Sequence, residues 1–69
     1  MANDRIAWRK ADGNVRAYIV RWSGGGGSWQ SFVWCGQVLV DTQMFSTRDF
    51  ERAKTRTKNM MVVTRIGGI

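Results

Sequence analysis

The feature that most constrains this chain is a helical pattern in its last third. Ser46 and Asp49 have the spacing of a capping box, in which Ser46 accepts a hydrogen bond from the Asp49 amide and the Asp49 carboxylate accepts one in return. Phe45 and Phe50 flank this start at the positions of a hydrophobic staple. A helix over about residues 46–59 is therefore predicted, and its apolar face should hold Phe50, Ala53, Thr57, Met60 and Met61.

A helix of this length is marginally stable alone, so it must pack on an apolar surface made by the rest of the chain. Asp12-Gly13, between two apolar-rich runs, predicts a two-residue hairpin turn that would place Arg9 opposite Arg16. Because side chains alternate along a strand, one face of this hairpin is expected to be core: Ile6, Trp8, Val15, Ala17 and Ile19. The other face would be basic and aromatic: Arg5, Ala7, Arg9, Arg16, Tyr18, Val20 and Trp22.

A glycine-rich segment, residues 23–28, follows the hairpin and precedes a predicted strand over 29–35. If Trp22 and Trp29 face each other, the core face extends onto this strand through two further pairs: Ile19 with Phe32, and Ala17 with Trp34. The pattern leaves three uses of the glycine run open: a natural flexible loop, a backbone site for an anion, or an engineered linker.

Further strands are predicted over 37–42 and 60–66, with a frayed tail after them. The expected fold is a single α+β domain over residues 1–69. It has an antiparallel sheet of four to five strands with one helix packed on one face, in the order β-β-β-(β)-α-β. Cys35 is expected to be a small buried hydrophobe, because the chain has no histidine to activate it.

Composition argues against an enzyme. The chain has 69 residues, with no histidine and a single cysteine, so the commonest general base and a Cys/His zinc site are both absent. Asp12, Asp49 and Glu51 are accounted for by a turn, a cap and helix-surface pairing, and nothing in the sequence brings Asp4 and Asp41 together. A protein without catalytic activity, metal or cofactor is expected. The sequence has neither a signal peptide nor a membrane span, which favours a cytoplasmic location.

Charge indicates the class of partner. Eleven basic and five acidic residues give a net charge of +6, which favours nucleic acid ahead of an acidic protein surface. A charge that serves only solubility is the alternative. The candidate nucleic-acid contacts lie on the basic and aromatic face: Arg5, Arg9, Arg16, Tyr18, Trp22 and Trp29. The helix supplies secondary candidates: Arg48, Arg52 and Arg56.

Part of the chain carries a family resemblance. The stretch in question runs from Trp29-Gln30-Ser31-Phe32-Val33 through Gly36 to Phe45-Ser46-Thr47-Arg48-Asp49-Phe50-Glu51-Arg52-Ala53. It resembles integrase arm-type and plant ethylene-response-type DNA-binding domains. The resemblance implies that DNA is the favoured nucleic acid, and that a three-stranded sheet enters its major groove while the helix supports the sheet. Residues 37–40 depart from both families, because they lack the basic residues that such sheets carry after the turn.

A competing hypothesis is a small inhibitor that binds a host protein or its nucleic-acid channel. In size and architecture the chain resembles phage-encoded antagonists, including anti-CRISPR proteins. Bare nucleic acid distinguishes the two hypotheses, because only a nucleic-acid-binding module should bind it without a protein partner.

Overall fold

A computed structural model describes residues 5–22, 24 and 27–67. Four strands, β1 (Arg5–Asp12), β2 (Val15–Arg21), β3 (Trp29–Cys35) and β4 (Val38–Phe45), form one antiparallel sheet in chain order. A short 3₁₀ turn (Thr47–Asp49) leads into the helix α1 (Phe50–Gly67), which packs on one face of the sheet. The predicted α+β class, with one antiparallel sheet and one helix, is confirmed.

The helix is longer than predicted, and the strand expected over 60–66 is wrong. The buried residues of α1 are Ala53, Thr57, Met61 and Thr64, so the helical repeat continues through the segment assigned to that strand. Val62 and Val63 favour strands by propensity, but both point to solvent from the helix, since they are 57% and 60% exposed. The burial repeat therefore outweighs the local β-propensity. Residues 68–69 of the expected tail lie outside the described residues.

The start of the helix differs from the predicted capping box. The Ser46 hydroxyl donates to the Asp49 carboxylate over 2.9 Å, and the Asp49 amide donates to the Ser46 carbonyl over 3.0 Å. The serine side chain therefore caps no amide, and the chain makes a 3₁₀ turn before the helix begins. Phe45 and Phe50 belong to one apolar cluster with Ile19, as the hydrophobic staple predicts.

The first hairpin turns one residue later than predicted. Asp12 pairs with Val15, so Gly13 and Asn14 form the turn, and Arg9 faces Tyr18 rather than Arg16. The physical reason is backbone conformation. Gly13 has φ 62°, and no residue other than glycine has positive φ among those described, so glycine must take the first central position of the turn.

A register shift between Ile6 and Trp8 puts these two residues on opposite faces of the hairpin, whereas the prediction put both on the core face. Trp8 pairs with Ile19, whereas Ile6 pairs with Val20. Trp8 therefore packs in the core beneath the helix as predicted, but Ile6 lies on the opposite face. A bulge is the usual cause of such a change, because one extra residue reverses the alternation of side chains.

The pairing of β2 with β3 is displaced by one residue from the predicted register. Tyr18 faces Phe32, and Arg16 faces Trp34, whereas the prediction placed Ile19 and Ala17 opposite those rings. A backbone hydrogen bond from the Trp22 amide to the Ser28 carbonyl closes the connection so that Arg21, not Trp22, faces Trp29. Because side chains alternate, this slip moves both rings from the expected core to the opposite face.

The core beneath the helix is built from small and medium side chains. Ser31 and Val33 of β3 are fully buried, as are Ala53 and Thr57 of the helix. Cys35 is partly buried and packs against the same core, which agrees with its predicted role as a small hydrophobe. At these positions the small side chains let the helix approach the sheet closely.

The end of the glycine-rich connection is tightly held. Gly27 is buried and has φ 73°, and its carbonyl accepts a hydrogen bond from the Thr47 hydroxyl over 3.1 Å. The Arg21 guanidinium lies against this glycine and over the Trp29 ring, 5.0 Å from the ring centroid. Ser23, Gly25 and Gly26 lie outside the described residues, and with them half of the run whose use was left open.

We expect Gly27→Ala to lower the free energy of unfolding by about 1–2 kcal/mol, the cost of a left-handed conformation for a residue with a β-carbon. An added β-carbon would also lie 2.7 Å from the Arg21 guanidinium, so the guanidinium would have to shift. Gly24→Ala is the matched control, because nothing lies within 4 Å of its added β-carbon. Urea denaturation should show a loss for Gly27→Ala alone; equal stability of the two variants would contradict this account of the turn.

A second prediction concerns Thr57, whose hydroxyl oxygen is buried without a hydrogen-bond partner among the described residues. Thr57→Val keeps the shape and removes the unsatisfied group, so the free energy of unfolding should rise by about 1 kcal/mol. Thr57→Ala should lower it instead, because it leaves a cavity between helix and sheet. Both changes are measured by chemical denaturation. A loss of stability in Thr57→Val would show that the hydroxyl is in fact satisfied.

Candidate nucleic-acid interface

The helix covers one face of the sheet and leaves the other uncovered. We call this second surface the open face, and it consists of three rows of residues that run across the strands from β1 to β4. The rows follow from the strand register: Ala11, Arg16, Trp34 and Leu39; Arg9, Tyr18, Phe32 and Thr42; Ile6, Val20, Gln30 and Met44.

Three aromatic side chains form the centre of the open face. The rings of Tyr18 and Phe32 stack with centroids 5.0 Å apart and an interplanar angle of 28°. The Trp34 indole nitrogen donates to the Tyr18 hydroxyl over 3.2 Å, which holds the third ring beside the first two. All three are half-buried, so each keeps part of its surface accessible to solvent. We refer to Tyr18, Phe32 and Trp34 as the aromatic patch.

A chain of hydrogen bonds fixes a fourth ring at the end of the open face. The Trp22 indole nitrogen donates to the Gln30 side-chain oxygen over 2.9 Å, and the Gln30 amide nitrogen donates to the Thr42 hydroxyl over 3.1 Å. These contacts join the end of β2 to β4 across β3. The position of Trp22 is therefore set by the sheet, although the residue lies just beyond the end of β2.

Two arginines border the aromatic patch on the β1–β2 side. Arg9 lies opposite Tyr18, and Arg16 lies opposite Trp34. Both arginines are exposed. Arg16 also donates to the Gly36 carbonyl over 3.0 Å, which keeps its guanidinium near the turn between β3 and β4. A surface depression of about 400 Å³ is lined by both arginines and Tyr18, together with Ile6 and Ala11.

The charges are distributed unevenly between the sheet and the helix. Each of the four described carboxylates pairs with one cation: Asp12 with Arg65, Asp41 with Arg56, Asp49 with Arg52, and Glu51 with Lys54. Within the described residues, the other cations have no carboxylate partner, and most of them lie on the first hairpin: Arg5, Arg9, Lys10, Arg16 and Arg21. The described part of the open face carries no acidic residue at all.

Two of the predicted contact residues lie elsewhere. Trp29 belongs to the covered face, where its ring meets Phe50 with centroids 4.4 Å apart and its indole nitrogen donates to the Thr47 carbonyl over 2.8 Å. Arg5 pairs with Arg21, in the row of the covered face that ends at Trp29. Of the predicted set, Arg9, Arg16, Tyr18 and Trp22 are brought together on the open face, and Arg5 and Trp29 are not.

The secondary candidates on the helix have different surroundings. Arg56 makes two hydrogen bonds to Asp41, of 2.8 and 3.3 Å, which raise the pKa of the guanidinium and fix it as a structural cation. Arg52 lies 3.9 Å from Asp49 and is mostly exposed. Arg48 is exposed, and no described carboxylate lies within salt-bridge distance of it.

Sequence reasoning missed Phe32 and Trp34, which it assigned to the core. A usable signal was present in the alternation along β3, where Ser31, Val33 and Cys35 are the smaller residues and the rings lie between them. A helix packs closely against the face that carries the small residues, so size, rather than apolarity, identifies the covered side.

Searches of the described residues for two other kinds of site were negative. No group of three or more acidic, cysteine or histidine side chains is placed to hold a metal ion, and α1 is not apolar enough over its length to cross a membrane. Comparison of the chain with family models, curated proteins and solved structures gives no match. The resemblance to integrase arm-type and ethylene-response-type domains therefore stays a prediction.

We expect Arg56→Met to lower the free energy of unfolding by about 2 kcal/mol, because it leaves the partly buried Asp41 carboxylate without its charged donor. The matched control is Arg52→Met on the same helix, where an exposed pair should contribute less than roughly 0.5 kcal/mol. Thermal or urea denaturation measures both changes. Equal effects of the two substitutions would show that the Asp41–Arg56 pair has no special structural role.

Proposed function

We propose that this protein is a non-enzymatic nucleic-acid-binding module that uses the open face of its sheet. The observation that supports this most directly is the combination of cations, accessible aromatic rings and no described acidic residue on one uncovered surface. Cations neutralise phosphates, and rings stack on bases or pack against sugars. The same surface would be unsuitable for a cationic partner, because none of its described residues offers a negative charge.

The positions of the side chains suit this role. Arg9 and Arg16 are exposed on neighbouring rows, so two phosphates can approach the sheet side by side. The hydrogen bonds of Trp34 and Trp22 hold two of the rings in place before a ligand arrives, which reduces the entropy lost on binding. The resemblance to DNA-binding domains that use a sheet points to the same class of partner.

A second candidate function is inhibition of a host protein. The apolar residues at the corners of the open face favour it, since Ile6, Met44 and Leu39 are 53%, 52% and 41% exposed. Exposed apolar side chains grouped around aromatic rings are typical of surfaces that bind proteins. Such a protein would use the same arginines to meet acidic side chains.

The test compares two variants that remove the same amount of charge from different places. Arg9→Gln with Arg16→Gln removes two cations from the open face. Arg48→Gln with Lys58→Gln, the helix variant, removes one cation from the 3₁₀ turn and one from α1, and neither has a described carboxylate partner. The first variant should weaken binding to oligonucleotides and flatten the dependence of log affinity on log salt. The slope of log affinity against log salt concentration should become less negative by about 1.4 for single strands or about 1.8 for duplex, because two cations are removed. The measurement is a fluorescence-anisotropy titration at several salt concentrations.

The control is Arg48→Gln with Lys58→Gln, which should retain most of the affinity for oligonucleotides. It has the same net charge as Arg9→Gln with Arg16→Gln, but its open face is intact. Equal losses in both variants would mean that only total charge matters. A larger loss in the helix variant would move the interface to α1. If the unaltered protein binds no oligonucleotide even at low salt, the proposal fails, and binding of a host protein becomes the better explanation.

A further inference from the structure

We infer that the ligand of the open face is single-stranded nucleic acid, whose bases stack on the aromatic patch. This inference rests on the proposed function and specifies its ligand. It departs from the duplex binding that the family resemblance implies, and the dimensions of the sheet, the chemistry of its rings and the position of its cations all support it.

The width of the sheet argues against insertion into a duplex. Neighbouring strands lie about 4.8 Å apart, so the outer strands of a four-stranded sheet are about 14 Å apart before side chains are added. The major groove of B-DNA is about 12 Å wide and admits a helix or a two-stranded ribbon. The arginines lie on β1 and β2 and the rings on β2 and β3, so a ligand that contacts both must lie across three strands, more than the two-stranded ribbon that the groove admits.

The aromatic patch also needs a ligand with accessible bases. In a duplex the faces of the bases are already stacked on one another, so aromatic side chains cannot use them. Bases of a single strand can leave the stack and lie on a ring, and this contact tolerates any sequence because every base has a π-face. Tyr18, Phe32 and Trp34 lie on the two central strands, where a splayed base can reach them without meeting the helix.

The charge pattern places the phosphates and the bases of a bound single-stranded nucleic acid on different sides of the open face. Arg9 and Arg16 lie on the β1–β2 side of the rings, whereas the β4 side consists of uncharged residues: Leu39, Thr42 and Met44. Phosphates would therefore lie over the first hairpin, and bases would extend from there towards β3. The depression lined by the two arginines and Tyr18 lies where contacts with the phosphates of the nucleic acid would give way to contacts with its bases.

The experiment separates bases from phosphates on the ligand and rings from cations on the protein. The ligands are a short oligothymidylate, an abasic strand of equal length and charge, an oligouridylate and a blunt duplex. The variants are Phe32→Leu, which removes a ring from the open face but keeps an apolar side chain, and Val62→Ala, the control, which shortens an exposed side chain of α1 outside the open face. Circular dichroism first establishes that each variant is folded.

The unaltered protein should bind the oligothymidylate more tightly than both the abasic strand and the duplex. Phe32→Leu should weaken binding to the base-bearing strands by about 5-fold to 150-fold and leave the abasic strand unaffected, because one stacked base is lost. Val62→Ala should bind as the unaltered protein does, because this exposed side chain of α1 lies outside the open face. The oligouridylate should also bind more tightly than the abasic strand, because its bases are likewise accessible for stacking.

Two different results would overturn the inference while the proposed function survives. One is a duplex that binds as tightly as the single strand; the other is a Phe32→Leu variant that still distinguishes base-bearing from abasic strands as the unaltered protein does. Absence of binding to any of the four ligands at low salt would instead remove the proposed function itself.

Discussion

The close approach of the single helix to one face of the sheet determines the rest of this structure. Ala53 and Thr57 of the helix and Ala17 and Ser31 of the sheet are almost completely buried, so the two layers meet through small side chains. One helix can cover only one face, and no second layer is present among the described residues. Tyr18, Phe32 and Trp34 lie on the uncovered side, whereas Trp29, at the start of β3, packs against Phe50 at the first residue of the helix.

Much of this fold could be predicted from the sequence, since its signals are local. The first strands, their hairpin, the strand from Trp29 to Cys35 and the position of the helix start all follow from alternation, turn residues and helical repeat. What failed was the alignment of one strand with the next. A one-residue difference between β2 and β3 reverses every side chain, and the long glycine-rich connection gave no constraint that could exclude it.

The same displacement accounts for the mixed outcome at the candidate site. The predicted hairpin register differs from the observed one by two residues, since Arg9 pairs with Tyr18 and not with Arg16. A shift of two residues keeps each side chain on the same face of the sheet, so Arg9, Arg16 and Tyr18 were assigned to the correct face. Trp29 and Phe32 exchanged faces because the error between β2 and β3 was odd. The helix was cut short for another reason: its last turns contain β-branched residues, and propensity alone cannot detect that Met61 and Thr64 complete a buried stripe.

The corrected register also changes the argument for an anionic ligand. Arg9 and Arg16 do not oppose each other directly, so cross-strand repulsion between them no longer requires an anion for its relief. The directly opposed cations are Arg5 and Arg21, and Arg21 turns over the Trp29 ring, where a cation–π contact offsets the repulsion. The distribution of acidic residues favours an anionic ligand instead. Every described carboxylate is engaged with a cation away from the open face, and the positive charge left on the first hairpin has no described acidic neighbour there. An anion supplied from outside the chain is the simplest way to balance that surface, and the rings beside it indicate which kind of anion it would be.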